Sequence, residues 1–212
     1  ALGVKETLEQ TPHFRVNGIL FSSPNGKEVR VALPEEDVAR LEAGYSLPRE
    51  QFDHLLFERV QHLVRENGGS VVQGADVTDV LFNDGNDPGD GSKDDRFASG
   101  IRLRIGGRKG DVLEYKAPAI VGAAGYRCPV ATALVVDTYN EVMVDRKHYC
   151  GGYREYWDGV KGCEENIGDI EIHFVDDIIP GYFWIFPLGN GRVNVGCGMV
   201  MHLMDKQSKK LK

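Results

Sequence analysis

The first part of the chain alternates between strand-like and helix-like spacing of apolar residues. The run HFRVNGILFSSPNGKEVRVAL has two β-rich stretches around SPNG, and it predicts a hairpin in which Asn25-Gly26 supplies the positive φ angles of a tight turn. The run PREQFDHLLFERVQHLVREN predicts a helix with Pro48 in its first turn and Gly68-Gly69 at its end. At helical spacing one face of this helix carries Phe52, Leu55, Leu56, Val60, Leu63 and Val64.

The segment that follows the helix predicts short strands and one polar loop. SVVQG and DVTDVLF are strand-like, and RFASGIRLRI and DVLEYKA predict two antiparallel strands around a Gly-rich turn. NDGNDPGDGSKDD has no apolar groups to bury, so it predicts an exposed, mobile loop. PAIVGAAG is an apolar run that ends in glycines, which is typical of a buried parallel strand entering a phosphate-facing turn.

From about Thr138 the pattern changes to strand-like segments in which polar and aromatic residues alternate. These segments are TYNEVMVDRKHY, GYREYW, DIEIHFV, YFWIFPL and RVNVGCGMV. They predict a mostly antiparallel sheet with one wetter face. The pattern as a whole therefore predicts a mixed α+β or α/β fold, in which a small α/β portion precedes a β-sheet portion.

Three aromatic residues occupy alternate positions in the segment PGYFWIFPLGNGRVNVGCGM. Residues two apart in a strand share a face, so Tyr182, Trp184 and Phe186 should project to one side. An aromatic stripe is usually part of a sheet core, and the spacing alone favours that interpretation. The alternative is a wall for an apolar ligand, with a large apolar area and the Tyr O–H and Trp N–H as polar handles.

The segment VGAAGYRCPVATAL places a glycine-rich turn between an apolar run and a helix that begins near Pro129. The backbone N–H groups around Gly122 and Gly125, together with the helix N-terminus, can hold an anionic group. Arg127 would add a charged fork. A plain, tight strand-to-helix connection explains the same residues equally well, because isolated glycine motifs are weak indicators.

Composition narrows the classes of partner. The chain has 212 residues and a net charge of −7, so a nucleic-acid backbone is a poor first candidate. No stretch reaches the roughly 18 consecutive apolar residues of a membrane helix, and there is no secretory leader. The four cysteines form no CxxC pair and indicate reduced intracellular thiols. We therefore expect a cytoplasmic protein, with peripheral contact at a membrane left open along with the oligomeric state.

Other chemical motifs are weaker. His148, Cys150, Cys163 and His173 match no common zinc spacing, so no metal site is predicted. Asp176-Asp177 point to opposite faces if they lie in a strand, and they are typical of a solvated turn. No serine nucleophile elbow is visible. No catalytic residue is therefore assigned from the sequence.

The residues from about Tyr45 to Met199 resemble the geranylgeranyl reductase family of FAD-dependent oxidoreductases. The resemblance rests on YSLPREQFDHLL, VGAAGYRCPVA, YREYWDGVKG and the aromatic segment. VGAAGYRCPVA is similar to the second cofactor motif of FAD-dependent reductases and hydroxylases, commonly GADGxxSxV. The most specific element is Tyr182-x-Trp184-x-Phe186-Pro187, which matches the YxWxFP signature of the family.

The resemblance implies an enzyme that reduces C=C bonds of an isoprenoid chain, with FAD between a Rossmann-like domain and a sheet domain. It implies that residues 1–137 form part of the FAD-binding portion and residues 138–212 a truncated substrate-binding sheet. Arg49 and the turn of Gly122, Gly125, Arg127 and Pro129 would then contact FAD. Tyr182, Trp184 and Phe186 would line the apolar pocket.

Two departures from the family pattern bear on the cofactor. Ala124 stands where GADG has Asp, which helps to organise the contacts around the pyrophosphate. The printed sequence also has no N-terminal GxGxxG turn, the element that places the FAD pyrophosphate on a helix. We therefore expect a fragment of a longer enzyme that, alone, binds FAD weakly or not at all.

Two other functions remain as alternatives. A flavin monooxygenase or halogenase shares the GADG region, but a halogenase would carry a catalytic Lys and a WxWxIP-like segment. A cofactor-free module that binds an apolar ligand would keep the aromatic residues and lack flavin chemistry. Ala124 and the missing GxGxxG favour that module.

Overall fold

The computed structural model describes residues 2–40, 42–83 and 97–203, and the chain divides into two compact units. The larger unit combines Ala1–Ser70 with Arg146–Lys212, and the smaller unit is Val71–Asp145. The predicted loop NDGNDPGDGSKDD lies, except for Asn83, outside the described residues.

The described residues contain ten strands and four α-helices. The strands are β1 (Phe14–Ser22), β2 (Glu28–Ala32), β3 (Tyr45–Ser46), β4 (Ala75–Phe82), β5 (Ala98–Ile105), β6 (Asp111–Lys116), β7 (Cys150–Trp157), β8 (Ile167–His173), β9 (Tyr182–Gly189) and β10 (Arg192–Val200). The helices are α1 (Lys5–Gln10), α2 (Glu35–Ala39), α3 (Arg49–Glu66) and α4 (Pro129–Thr132), and α4 continues as a π-helix over Ala133–Thr138.

The larger unit is organised by one seven-stranded sheet. Its order is β2-β1-β8-β9-β10-β7, and β3 pairs with β1. All neighbours are antiparallel except β1 and β8, which are parallel. The prediction of a mostly antiparallel sheet is therefore confirmed. The N-terminal hairpin is part of the same sheet as the C-terminal strands, although the two are more than 100 residues apart in sequence.

The turn between β1 and β2 differs in detail from the prediction. Ser22 pairs with Glu28, so the connection is longer than a two-residue turn. Gly26 is left-handed at φ 77°, whereas Asn25 has no positive φ. The side chain of Asn25 instead accepts hydrogen bonds from the Ser23 hydroxyl (2.6 Å) and the Lys27 backbone N–H (3.2 Å). Asn25 thus stabilises the turn through its side chain, and only the glycine supplies the unusual backbone.

Helix α3 is confirmed between its predicted signals. Pro48 lies immediately before its first residue, and Gly68 takes φ 73° just after its end. Of the predicted apolar face, Leu55 is buried, whereas Val60 and Leu63 are 49% and 39% exposed. The face is therefore covered near one end of the helix and open at the other.

The core of the larger unit lies at the N-terminal half of β1 and along one face of β10. Phe14 and Val16 are buried on β1, and Val193 and Val195 on β10. Residues two apart on a strand share a face, so the buried valines of β10 alternate with Asn194 and Gly196 on the other side. This alternation determines which face of the sheet remains open.

The smaller unit is a three-stranded antiparallel sheet, β4-β5-β6, with α4 packed on β4. The strand pair β5 and β6 is confirmed, and Gly106 and Gly107 supply left-handed turn positions at φ 87° and 77°. Arg102, on β5, donates to Glu114 on β6 at 2.8 Å and lies 3.4 Å from Asp79 on β4. This arginine therefore links all three strands of the sheet.

Three strand predictions are wrong. SVVQG (70–74) is not a strand, and Gly74 turns the chain at φ 66° just before β4. PAIVGAAG (118–125) is irregular, since Pro118 has no backbone N–H to continue the ladder after β6, and Val121 is 88% exposed. TYNEVMVDRKHY is also not a strand. The π-helix runs to Thr138, and Asn140 then closes its end at φ 54°.

The predicted mixed α+β fold with an antiparallel C-terminal sheet is confirmed. The predicted boundary at residue 138 separates a cofactor-binding portion from a substrate-binding portion. It concerns function and differs from the boundaries of the two compact units, so it stays a prediction. None of the helices within the described residues is long and apolar enough to cross a membrane. The four cysteines are free thiols.

Candidate functional site

The three predicted aromatic residues of β9 meet on one face of the large sheet. The ring centroids of Tyr182 and Trp184 are 6.0 Å apart, and those of Trp184 and Phe186 are 6.2 Å apart. These separations are typical of favourable tilted ring pairs. Tyr182 is 42% exposed, and the other two rings are half-buried. The rings thus contact one another without being enclosed in the core.

Glycines on the neighbouring strand make room for the central ring. Gly196 is the register partner of Trp184, and a Cβ added there would come within 2.3 Å of the indole and 2.4 Å of the Tyr153 backbone oxygen. At Gly198 an added Cβ would meet nothing closer than 3.4 Å. Only glycine at position 196 therefore lets the indole of Trp184 pack this close to the β10 backbone.

A polar contact fixes the orientation of the Trp184 indole. Its Nε1–H donates to the Asn194 side-chain oxygen at 3.2 Å. Asn194 precedes Gly196 by two residues and therefore lies on the same face. A half-buried indole N–H usually has such a partner, and this one leaves the apolar edge of the ring available. Sequence reasoning did not identify Asn194, because the register of β9 and β10 is needed to pair the two side chains.

An apolar row extends from Trp184 across the sheet in the other direction. Trp184 is in register with Ile172 on β8, Ile172 with Phe21 on β1, and Phe21 with Val29 on β2. Directly opposed residues project to the same face. Neighbouring strands lie about 4.8 Å apart, so the row from Val29 to Trp184 spans about 14 Å. We refer to this row together with Tyr182 and Phe186 as the aromatic face.

The structure brings Arg49 to the edge of the aromatic face. The Arg49 backbone N–H donates to the Tyr156 hydroxyl at 3.2 Å, and Tyr156 on β7 is in register with Asn194. The guanidinium of Arg49 is held by Asp53 at 2.9 Å on the same helix. The Tyr156 ring has Arg154 and Arg192 over it at 5.0 and 5.3 Å. Three guanidinium groups thus lie at this edge, and two of them have a carboxylate partner, since Arg192 is 3.5 Å from Asp158.

The other predicted cofactor residues lie together in the smaller unit. Gly122, Gly125 and Arg127 are exposed, Gly125 is left-handed at φ 70°, and Pro129 is the first residue of α4. A Cβ at Gly122 would lie 2.7 Å from Val130 and 2.8 Å from the Cys128 sulfur. The backbone of the turn is thus accessible, and Gly122 is required because Val130 and Cys128 pack too closely against it for a side chain.

Cys128 is a residue of this turn that sequence reasoning missed. It is buried and immediately precedes α4. The backbone N–H groups of Ala131 and Ala124 lower the pKa of its thiol, and their effect exceeds the opposing effect of burial.

Two further side chains with shifted pKa values lie on β7. The Tyr153 O–H and the Trp157 N–H lower the pKa of Glu155, and the bond to Glu155 raises the pKa of Tyr153.

Among the described residues, no group of three or more His, Cys, Asp or Glu side chains is placed to hold a metal ion. The aromatic face itself consists of apolar area and a few hydrogen-bond donors. Such a surface can bind and orient an apolar molecule, and any redox chemistry there requires a cofactor.

Comparison with known proteins gives the chain a family context. Residues 138–212 match the model of the geranylgeranyl reductase catalytic domain. The chain is 28% identical over 193 residues to a digeranylgeranylglycerophospholipid reductase of Methanosarcina mazei, covering 90% of this chain and 40% of the relative. A protein of the same name from Methanosarcina acetivorans is 28% identical over 187 residues, covering 87% of this chain and 39% of that one. The chain thus spans about two fifths of the length of these relatives.

Solved structures share the fold at low sequence identity. A myxobacterial chondrochloren halogenase, described as a variant of FAD-dependent halogenases, superposes with a TM-score of 0.72 at 21% identity, covering 97% of this chain and 42% of the halogenase. A geranylgeranyl bacteriochlorophyll reductase-like protein from Thermoplasma acidophilum gives 0.64 at 17% identity, covering 94% and 45%. The resemblance to geranylgeranyl reductases drawn from the sequence is confirmed by the family model and the named relatives.

Proposed function

We propose that this chain, in which residues 138–212 match the geranylgeranyl reductase catalytic domain, forms part of an FAD-dependent oxidoreductase that reduces C=C bonds of an isoprenoid chain. The aromatic face holds the isoprenoid chain of the substrate. One observation carries the proposal: Tyr182, Trp184 and Phe186 contact each other on one face of the sheet and remain partly exposed. The names of the curated relatives support the substrate class.

Binding of a hydrocarbon chain requires apolar area more than hydrogen bonds. Burial of apolar surface contributes about 25 cal/mol per Å². The row of Ile172, Phe21 and Val29 continues the area beyond Trp184, so an elongated molecule can lie across several strands. Trp184 is held in place by Asn194, which limits the entropy lost when a ligand orders the ring. The face therefore favours a long, flexible, apolar ligand over a compact polar one.

The cofactor assignment rests on the turn of Gly122, Gly125, Arg127 and Pro129 in the smaller unit; Arg49, in the larger unit, is a separate proposal taken from the family resemblance. The exposed backbone of the turn and the positive φ of Gly125 fit an anionic phosphate group. The guanidinium of Arg49 is paired with Asp53, so its contact to an anion would have to compete with that carboxylate. A bound flavin, in its reduced form, would supply the hydride for the C=C bond. The residues of this chain bind the substrate, orient it and exclude water.

A flavin-dependent halogenase or monooxygenase is the second candidate within enzymes. The halogenase superposition supports it, but at 21% identity that likeness concerns the fold alone. Where a halogenase would carry a WxWxIP-like segment, this chain has Tyr182-x-Trp184-x-Phe186-Pro187. The family model and the named relatives favour the reductase.

The chain allows a direct test of isoprenoid binding because it contains only two tryptophans, Trp157 and Trp184. In the Trp157→Phe variant, the remaining tryptophan reports on the aromatic face. Titration with geranylgeranyl phosphate below its micelle concentration should shift the emission to shorter wavelength and saturate. The Trp184→Phe variant, with Trp157 on the opposite face, should show no shift.

The Trp184→Ala variant should bind geranylgeranyl phosphate more weakly by about 1–3 kcal/mol, the usual cost of losing a large apolar anchor. Trp157→Ala is the matched control and should bind like the unmodified chain. Isopentenyl phosphate, which has one isoprene unit, should bind far more weakly than the long chain. Equal binding by both phosphates would contradict the proposal, since the headgroup alone would then explain recognition.

FAD binding is tested separately by flavin fluorescence. We expect weak, saturable quenching that Arg127→Ala reduces and Arg108→Ala, in the turn between β5 and β6, leaves unchanged. A protein that binds geranylgeranyl phosphate but causes no change in flavin fluorescence would favour the cofactor-free module. Quenching that is the same in both arginine variants would contradict the assignment of the turn.

A further inference from the structure

A cavity of about 630 Å³ lies on the face of the large sheet opposite the aromatic face. Phe183 and Ile185 of β9 line it, and they alternate along the strand with the three aromatic residues. Phe174 and Val175, which follow β8, complete its apolar wall. The volume lies within the usual range for pockets that bind small molecules. The proposed reductase function makes no use of this cavity.

Three polar side chains form a continuous hydrogen-bonded chain at the cavity. Ser22 Oγ lies 2.7 Å from His173 Nδ1, and His173 Nε2 lies 2.8 Å from Glu171 Oε2. An ionised carboxylate only accepts hydrogen bonds, so Nε2 carries the imidazole proton. The lone pair of Nδ1 then accepts the Ser22 O–H. Both Ser22 and His173 line the cavity.

The strand register holds this set in place. Ser22 is the last residue of β1 and His173 the last of β8, and the two are register partners in the parallel pair. The backbone N–H of Phe174 donates to the Ser22 carbonyl at 2.9 Å. The imidazole is also packed against the Phe183 ring, with centroids 6.0 Å apart. Ser22 and His173 thus come together only in the folded sheet, since 151 residues separate them.

We propose that Ser22, His173 and Glu171 form a nucleophile, a base and an orienting carboxylate, and that Ser22 is acylated by small carboxylic esters bound in the cavity. A nucleophile within hydrogen-bond reach of a base that a third group orients is the general arrangement for nucleophilic catalysis. It is recognised by geometry and roles and not by sequence order. This proposal is independent of the proposed reductase function.

The chemistry balances without a further reactant. The Ser22 oxygen forms a bond to the ester carbonyl carbon as its proton passes to His173 Nδ1. The C–O bond to the alcohol then breaks, and the imidazolium returns the proton to the leaving oxygen. Water then attacks the acyl carbon of the acyl-serine and loses a proton to Nδ1. The bond from the acyl carbon to Ser22 Oγ breaks, the imidazolium returns the proton to Oγ, and the carboxylic acid is released.

The lining of the cavity indicates which esters it would take. The apolar wall of Phe183, Ile185 and Val175 suits a short hydrocarbon acyl group. Asp176 and Asp177 also line the cavity and would repel an anionic substrate. A neutral ester with a short aliphatic acyl chain is therefore preferred over an ester that carries a second carboxylate.

The test uses the full chain with p-nitrophenyl butyrate as substrate and a fluorophosphonate as a covalent probe of reactive serine. We expect slow hydrolysis and a single phosphonylation, located on the peptide that contains Ser22. Ser22→Ala should abolish both. Ser70→Ala is the matched control, because Ser70 is exposed and does not line the cavity, and it should retain both.

Two variants test the role of Glu171 as a positioning residue. Glu171→Leu removes the acceptor for Nε2–H and should lower kcat about 100-fold with KM unchanged, within the range expected for general base catalysis. Glu171→Gln keeps an acceptor oxygen and should recover part of this loss. A merely structural role would change KM or stability without this pattern of recovery.

The mapping of the probe on the unmodified chain decides the proposal even if a variant fails to fold. Absence of phosphonylation of the folded chain, or labelling at Ser23 in place of Ser22, would overturn it. Hydrolysis that survives Ser22→Ala unchanged would overturn it as well. Faster turnover of a p-nitrophenyl hemisuccinate than of the butyrate would contradict the stated substrate class.

Discussion

At the scale of single residues, the aromatic face depends on the contrast between large rings on β9 and small residues on β10. Trp184 rests on Gly196 and donates a hydrogen bond to Asn194. Both residues belong to β10, so this one strand determines the position and the orientation of the indole. The alternation of aromatic residues was readable from the sequence, because a period of two is a property of any strand. The identity of their neighbours was not, because it depends on register.

Gly196→Ala should destabilise the fold by about 1–3 kcal/mol, the usual cost of overpacking. An added methyl group would collide with the indole of Trp184 and with the backbone oxygen of Tyr153. Gly198→Ala is the matched control, because its new Cβ would meet only ordinary contacts, and its effect should be smaller. Urea unfolding of both variants measures the difference. Equal stability of the two variants would show that Trp184 does not rest on Gly196.

At the scale of elements, the hairpin, α3, the pair β5 and β6, and the C-terminal strands were predictable from local patterns. The failures have physical causes in longer-range contacts. Val121 lies in an apolar run with the pattern of a buried strand, yet within the described part of the chain this run pairs with no strand. Pairing of β1 with β8 joins segments distant in sequence, and periodicity carries no information on such pairs.

The edge strand β7 carries a carboxylate whose titration follows from its neighbours. The Tyr153 O–H donates to Glu155 at 2.6 Å and the Trp157 N–H at 2.7 Å, and both bonds favour the charged form and lower the pKa of Glu155. A lowered folded-state pKa means that this carboxylate stabilises the fold above its ordinary pKa. That contribution is lost as the pH falls through the lowered value.

Tyr153→Phe should therefore raise the pKa of Glu155 towards its ordinary value, as measured by the carboxyl carbon shift in an NMR titration. Tyr115→Phe, which changes a tyrosine of the smaller unit, should leave the Glu155 titration unchanged. Glu155→Gln should reduce stability at neutral pH and have no effect in strong acid. A Glu155 pKa that does not move in Tyr153→Phe would show that the hydrogen bond is absent in solution.

At the scale of the whole molecule, the large sheet presents two different faces. One carries the aromatic residues and the apolar row from Trp184 to Val29, and the other carries the cavity at Ser22 and His173. The period of two in the aromatic segment predicted that its three rings share a face, whereas the apolar row beyond Trp184 depends on strand register. No sequence pattern indicated the second face, because Ser22 and His173 are brought together only by the parallel pairing of β1 and β8.

The central claim is that an isoprenoid chain lies on the aromatic face. A geranylgeranyl phosphate with a diazirine in its chain, photolysed on the full chain and mapped by mass spectrometry, tests this claim directly. The account predicts adducts in β9 and β8, lost when unlabelled ligand competes and reduced in Trp184→Ala. Adducts confined to the opposite face at Tyr153, Glu155 and Trp157, or to the smaller unit, would contradict it.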